Sequence, residues 1–294
     1  MEVPGSSQAM RVRFAKVKGV QTRYYEARPS GGGAGAVLLL HGAGMSADCW
    51  IRNIAELATD FTVYAPDELG QGMTESGAYA GGPPHPWIVD HLVDFVDHLG
   101  LGHFSVVGSS FGALIAGLLY FRLPDRVRSL VLVSSGSAVN QEGDSDLQGA
   151  YQNGLSALND PTPDNCRRRL ERIFHDPSSV PSELVFMQAS LYALPTARES
   201  YERRMRGMMQ FEACRPHRIV GRLEQIAVPT LLLWGRDDPR GRYDRAQEAA
   251  ARIPKAELIA IDNCKHHPHI EHPQRFNETV RKFLLSHQFQ DQIA

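Results

Sequence analysis

Three residue types, far apart in the chain, could together activate a nucleophile. They are Ser110 in GSSFG (108–112), Asp237 or Asp238 in WGRDDP (234–239), and the histidines of NCKHHPHIEHP (263–273). A serine hydroxyl is a poor nucleophile at neutral pH and needs a base within hydrogen-bond reach. The base needs a carboxylate to hold its tautomer and stabilise the imidazolium. The histidine-rich segment read alone suggests a different chemistry. His266, His267, His269, Glu271 and His272 crowd one short stretch, and His266 and His269 have the i, i+3 spacing of metal ligands on a helix. Pro268 and Pro273 interrupt that stretch, so continuous helix is disfavoured and the expectation is no metal.

For these residues to meet, the chain must deliver them to one edge of a sheet. HFSVVG (103–108) reads as a buried strand and SSFGALIAGLLYFRL (109–123) as an apolar, buried helix. A sharp turn between them forces its central residue into a strained conformation. Side chains at the flanking positions would collide there, which glycine avoids at 108 and 112. That turn presents Ser110 and the amide of Phe111 at the same point. VPTLLLWG (228–235) and AELIAI (256–261) read as two further strands, whose carboxyl ends carry Asp237–Asp238 and His266. In an open α/β sheet, loops at the carboxyl ends of the strands build the ligand crevice.

The remaining pattern agrees. RVRFAKV (11–17) and VQTRYYEAR (20–28) predict a hairpin, AVLLL (36–40), FTVYAP (61–66) and VRSLVLVSS (127–135) predict buried strands. Helices are expected over 49–60, 87–100 and 272–286, with 67–86 as an irregular surface loop rich in glycine and proline. Strands and helices alternate except between about 136 and 222, which reads as helical. The fold expected is α/β, a doubly wound, mostly parallel sheet. Residues 1–135 and 223–294 would form its core and 136–222 an inserted helical cap.

On LLLHGAG (38–44), PDELGQGMTES (66–76), GSSFG, WGRDDP and CKHHPHIEHPQRFNETVRKFL (264–284), the chain resembles the α/β-hydrolase family over roughly residues 20–285. The resemblance implies an α/β-hydrolase fold and a triad of Ser110, Asp238 and His266. The family's acid is usually the third residue after the glycine ending its strand, which selects Asp238 over Asp237. The HGAG loop is similar to the family's second oxyanion contributor, so the backbone N–H groups of Ala43 and Phe111 would form the oxyanion hole. His41 is expected to be structural. A serine nucleophile argues against the aspartate-dependent dehalogenases and epoxide hydrolases of this fold. The motifs look most like the branch of meta-cleavage-product hydrolases, which break a carbon–carbon bond in vinylogous diketo acids. That branch usually carries Asn before the nucleophile and Trp after the catalytic histidine. Ser109 and His267 stand there instead, and both are expected to touch substrate.

Substrate is left open by the residues: ester, lactone, thioester or C–C bond hydrolysis, a non-hydrolytic relative, or a non-catalytic binding member of the fold. A small, largely apolar carbonyl compound is expected, with no cofactor. The segment 139–222 holds eleven arginines, no lysine and eleven acids. One arginine pointing inward could hold a substrate carboxylate, although most should form a solvated, ion-paired surface. Phe186, Met187, Leu191, Tyr192, Met205, Met208, Met209 and Phe211 could line an apolar pocket. Net charge is −2, which argues against a nucleic-acid or membrane partner. Cys49, Cys166, Cys214 and Cys264 are widely spaced and read as reduced thiols. With no signal-like segment at 1–14 and no long apolar run, a cytoplasmic protein is expected. Self-association into a homo-oligomer stays open.

Overall fold

The structure, a computed structural model, describes residues 10–31, 33–140 and 146–288. Eight strands form one sheet: β1 (Arg11–Val17), β2 (Val20–Ala27), β3 (Ala36–Leu40), β4 (Thr62–Pro66), β5 (Phe104–Ser109), β6 (Val127–Val133), β7 (Thr230–Gly235) and β8 (Ala256–Ile261). Their spatial order is β1-β2-β4-β3-β5-β6-β7-β8. The hairpin closes through Lys18 and Gly19, both at positive φ (45° and 93°), the backbone that a two-residue turn demands. β1, β2 and β4 pair antiparallel, and all pairs from β4 through β3 to β8 are parallel. β3 stands between β4, which follows it, and β5, which lies on its other side. The chain direction across the sheet reverses there, opening a crevice at the carboxyl ends of β3 and β5.

The inner strands are buried on both faces, which explains their unalternating apolar composition. Leu38, Leu40, Val106, Leu130, Leu132 and Leu232 enter one core. Their chain neighbours Val37, Leu39, Val107, Val131, Leu231 and Leu233 enter the other. The first core is covered by α2 (His85–His98), α3 (Phe111–Arg122) and α10 (Tyr243–Arg252). The second is covered by α1 (Ile54–Leu57) and α12 (Pro273–Gln288), whose Phe276, Val280, Phe283 and Leu284 form a buried stripe. Between β6 and β7 the described residues form helices without strands: α4 (Gly136–Val139), α5 (Leu147–Leu158), α6 (Pro163–Glu171), α7 (Ser182–Tyr192), α8 (Ala197–Met208) and α9 (Phe211–Cys214), with short 3-10 turns.

Two local expectations are corrected. The helix expected over 49–60 is broken into a 3-10 turn, Ala47–Trp50, and the single turn of α1. Asn53 lies between them, fully buried. Its amide donates to the His269 carbonyl (3.0 Å) and to Asn277 Oδ1 (2.8 Å), so tertiary bonds replace the helical ladder. The loop after β4 is not a surface loop at its start, because Asp67 and Glu68 are fully buried. The final helix is preceded by a separate turn, α11 (Pro268–Glu271), since each proline starts its own helical segment.

Candidate active site

Ser110 occupies the turn between β5 and α3 with φ 55° and ψ −119°. This left-handed conformation is strained for a non-glycine residue and persists only where surroundings enforce it. The enforcement is visible. A Cβ on Gly108 would meet the Gly112 carbonyl oxygen at 2.2 Å, and one on Gly112 would meet the Leu40 carbonyl oxygen at 2.4 Å. Only glycine lets the strand, the helix and β3 approach so closely. The Ser110 N–H donates to the Val133 carbonyl at 2.9 Å, and its carbonyl accepts from the Ser135 hydroxyl at 2.5 Å. The turn is therefore pinned to β6 on both sides.

Three loops converge on Ser110. Its hydroxyl lies 2.9 Å from His266 Nε2, and His266 Nδ1 lies 3.0 Å from each oxygen of Asp238. A carboxylate only accepts, so Nδ1 carries the proton and Nε2 accepts from the serine. His266 and Asp238 are both buried. Asp237 points away: its side chain is exposed and pairs with His175 Nδ1 at 3.0 Å. Adjacent acids in the sequence thus have separate surroundings, one facing the imidazole and one facing solvent.

The turn that carries His266 is held by Glu271. Its Oε1 accepts the N–H groups of Lys265 and His267, both at 3.1 Å, and Oε2 accepts that of His175 at 2.7 Å. The His266 N–H donates to the Ile173 carbonyl at 3.3 Å. The remaining histidines scatter. His272 bonds the Asn263 carbonyl, and His269 packs 4.3 Å from the Trp50 ring. Among the described residues no group of three or more His, Cys, Asp or Glu side chains is arranged to hold a metal ion.

Ala43 and Phe111 both line the cavity that holds Ser110 and His266. Neither N–H has a hydrogen-bond partner among the described residues. His41 braces the loop carrying Ala43. One ring nitrogen bonds the Gly42 carbonyl (2.9 Å) and the other accepts the Glu68 N–H (2.9 Å). Burial pushes its pKa down to about 3, so it is neutral and structural. Asp67 supports the same loop. It accepts the Ala47 N–H at 2.8 Å and pairs with Arg23 at 2.9 Å, while Arg23 also reaches Asp48 at 2.7 Å.

Ser109 and His267 are not brought to the cavity. Ser109 ends β5 with its side chain buried, and His267 is enclosed by the rings of Phe174, His266 and His269. Of the apolar residues expected to line a pocket, Met205 and Met208 line this cavity. Phe186 is exposed on the surface. An adjoining cavity of about 810 Å³ shares Phe111, Leu147 and Met208 with the first and adds Leu114 and Phe211. The sequence reading missed Arg240 and Tyr201, which also line the Ser110 cavity, and the anchoring part of Glu271. Arg240 had one signal, its position two residues after Asp238.

A sheet with this strand order, a strained serine between β5 and α3, and an Asp–His pair delivered after β7 and β8 define an α/β hydrolase. The chain belongs to that family: the sequence profile of the alpha/beta hydrolase family matches residues 37–279. Among its relatives is a 2-hydroxy-6-oxononadienedioate/2-hydroxy-6-oxononatrienedioate hydrolase of Paraburkholderia xenovorans (strain LB400). It is 30% identical over 301 residues, covering 96% of this chain and 98% of the relative. A 2-hydroxymuconate semialdehyde hydrolase of Pseudomonas sp. (strain CF600) is 30% identical over 280 residues, covering 90% and 91%. Among solved structures, the meta-cleavage product hydrolase CumD of Pseudomonas fluorescens IP01 superposes with a TM-score of 0.77 at 25% identity, covering 93% of this chain and 97% of that one. No helix among the described residues is long and apolar enough to cross a membrane.

Proposed function

We propose that this protein is a serine hydrolase of the C–C bond-cleaving kind, acting on a small carbonyl substrate of the vinylogous diketo-acid class. The observation that carries the reading is the chain Ser110–His266–Asp238, at 2.9 and 3.0 Å, with its serine in a strained turn. The names of relatives at 30% identity over nearly the whole chain support the bond type.

In this reading His266 takes the hydroxyl proton as Ser110 attacks the carbonyl carbon. Asp238 orients the imidazole and stabilises its charged form. The amides of Ala43 and Phe111 hold the tetrahedral oxyanion, where loss of one donor typically costs about 3–4 kcal/mol. Collapse breaks the C–C bond, and His266 returns the proton to the departing carbon. A water activated by His266 then hydrolyses the acyl-enzyme and regenerates Ser110. Residues 136–222 act as a cap over a core of 1–135 and 223–294. Tyr201, Met205 and Met208 support this, since they bring that segment to the Ser110 cavity. The adjoining 810 Å³ cavity offers room for an apolar arm of the substrate. An ordinary esterase is the second reading, favoured by Ser109 and His267 standing where the ring-cleavage branch carries Asn and Trp.

A parallel assay of purified protein on p-nitrophenyl esters and on a ring-fission dienoate separates the two. The C–C reading expects the dienoate to be preferred by kcat/KM, and preference for the esters overturns it. A fluorophosphonate probe is expected to label Ser110 in either case. Normal labelling and turnover in Ser110→Ala would remove both.

A further inference from the structure

The turn that carries the Ala43 amide is held from the helices between β6 and β7. Gly42–Met45 is a tight turn, closed by the Met45 N–H donating to the Gly42 carbonyl at 3.1 Å, with Gly44 at φ 70°. The Gly44 carbonyl accepts from three side chains: Tyr192 Oη at 2.7 Å, Arg169 Nη2 at 3.1 Å and Gln188 Nε2 at 3.3 Å. Arg169 belongs to α6, and Gln188 and Tyr192 belong to α7. A carbonyl oxygen has two lone pairs, so this acceptor is saturated, and the Tyr192 hydroxyl makes its shortest bond. The approach is close: a Cβ on Gly44 would lie 2.8 Å from the Tyr201 ring and 3.3 Å from Tyr192 Oη.

Peptide planarity carries this hold to the Ala43 N–H. The Gly44 carbonyl and the Met45 N–H belong to one rigid amide plane, and the Gly42 carbonyl and the Ala43 N–H belong to another. The bond from Met45 to Gly42 joins the two planes. Fixing the Gly44 carbonyl therefore fixes the direction of the Ala43 N–H. Donation into a carbonyl also polarises its amide, so each N–H further along is a stronger donor. The second plane is steadied from its other side by His41 Nδ1, 2.9 Å from the Gly42 carbonyl. Behind His41 stands the Glu68 N–H at 2.9 Å, and Arg204 of α8 meets the Glu68 carboxylate at 2.6 Å. Tyr192 and Gln188 line neither the Ser110 cavity nor the adjoining 810 Å³ cavity, so they act on the turn and not on a bound substrate.

We infer that Tyr192 is a positioning residue for the oxyanion hole: its hydroxyl, through Gly44, Met45 and Gly42, sets where the Ala43 N–H points. The inference rests on the oxyanion role proposed for Ala43 and deepens it. The segment inserted between β6 and β7 then helps to build the hole as well as to enclose the cavity.

The test compares 1,1,1-trifluoro-4-phenylbutan-2-one with its carbinol, each competing with a fluorophosphonate probe for Ser110. The ketone carbon accepts the Ser110 oxygen, the hydroxyl proton passes to His266, and the carbonyl oxygen becomes an oxyanion. The carbinol fills the same space and cannot form that adduct. In Tyr192→Phe the inhibition constant of the ketone is expected to rise about 5-fold, the scale of one hydrogen bond, and that of the carbinol to stay within about 2-fold. Glu183→Gln controls for the seating of α7. It removes a charge that pairs with Arg52 at 2.6 Å and leaves the bonds to Gly44 in place. Because that pair is exposed, both compounds are expected to stay within about 2-fold of wild type. Equal weakening of ketone and carbinol in Tyr192→Phe overturns the inference, because the residue would then only shape the cavity. So does an unchanged ketone constant, or a Glu183→Gln loss as large as that of Tyr192→Phe. A wild-type protein that binds the ketone no better than the carbinol defeats the serine-hydrolase reading, and the inference with it.

Discussion

Asp237 and Asp238 are chemically identical and adjacent, yet only one meets the imidazole. Asp238 is buried with both oxygens 3.0 Å from His266 Nδ1, whereas Asp237 faces solvent beside His175. The difference follows from the turn: the Asp237 N–H is tied to the Cys264 carbonyl at 3.0 Å, and the next side chain points inward. Replacing Asp238 with Asn puts an amide where the carboxylate accepted the Nδ1 proton and favours the wrong tautomer. Asp238→Asn is therefore expected to lower kcat by about 10⁴-fold with the fold intact. Asp237→Asn removes an exposed pair, and a change within about 2-fold is expected. Side-by-side turnover of the two variants checks this, and a reversed ranking would reassign the acid. Substrate recognition is a second matter of single residues. Ser109 and His267 stand at positions suggested by resemblance and are not among the residues lining the Ser110 cavity, whereas Arg169 and Arg240 are.

At the scale of elements, the nucleophile turn shows how a local pattern encodes geometry. Glycine at 108 and 112 is required by contacts of 2.2 and 2.4 Å with backbone oxygens, which cannot yield as a side-chain end could. Gly108→Ala is expected to lower unfolding free energy by about 2–3 kcal/mol or more and to slow labelling of Ser110. Urea unfolding beside a labelling time course measures both, and an unperturbed variant would show that the turn tolerates a side chain. The strands, the turn and the order serine–acid–histidine were legible because each depends on neighbours in the chain: apolar runs, glycine spacing, residues just past a strand end. The broken helix near Asn53 was not, because its bonds go to His269 and Asn277. The buried start of the loop after β4 was hidden for the same reason, since Asp67 and Glu68 depend on Arg23 and Arg204. Glu271 reads as one more charge beside the histidines. Only the folded turn shows its carboxylate holding the N–H groups of Lys265 and His267. Glu271→Ala is expected to cost about 1.5–3 kcal/mol and to lower kcat more than it raises KM, because it loosens the base and leaves the cavity lining in place. Steady-state kinetics that moved only KM would contradict that.

For the molecule as a whole, buried titratable groups set how the fold responds to acid. Burial lowers the pKa of His41, His85 and His269 to about 3, and lowers those of His91 and His267 as well. Each has an ordinary value of 6.5 when unfolded, so below that pH the unfolded chain binds protons that the native chain refuses. Stability present above pH 6.5 is therefore lost as pH falls towards 3. Two buried acids act oppositely. Burial raises Glu68 to about 7 and Asp67 to about 6, so the native state takes up protons first and gains stability as pH falls through those values. Five histidines outweigh two acids, and the urea midpoint is expected to fall between pH 7 and pH 5. His269 isolates one contribution. Its ring packs on Trp50 and Phe276, and neither nitrogen has a hydrogen-bond partner among the described residues, so phenylalanine removes a proton site without breaking a bond between them. His269→Phe should flatten the loss by about 2 kcal/mol in all over that interval, the slope approaching about 1.4 kcal/mol per pH unit only below the unfolded value of 6.5. Denaturation at pH 7, 6 and 5 compares the slopes. A variant that loses stability as steeply as the wild-type protein would mean that His269 titrates normally in the fold, and that acid sensitivity originates elsewhere.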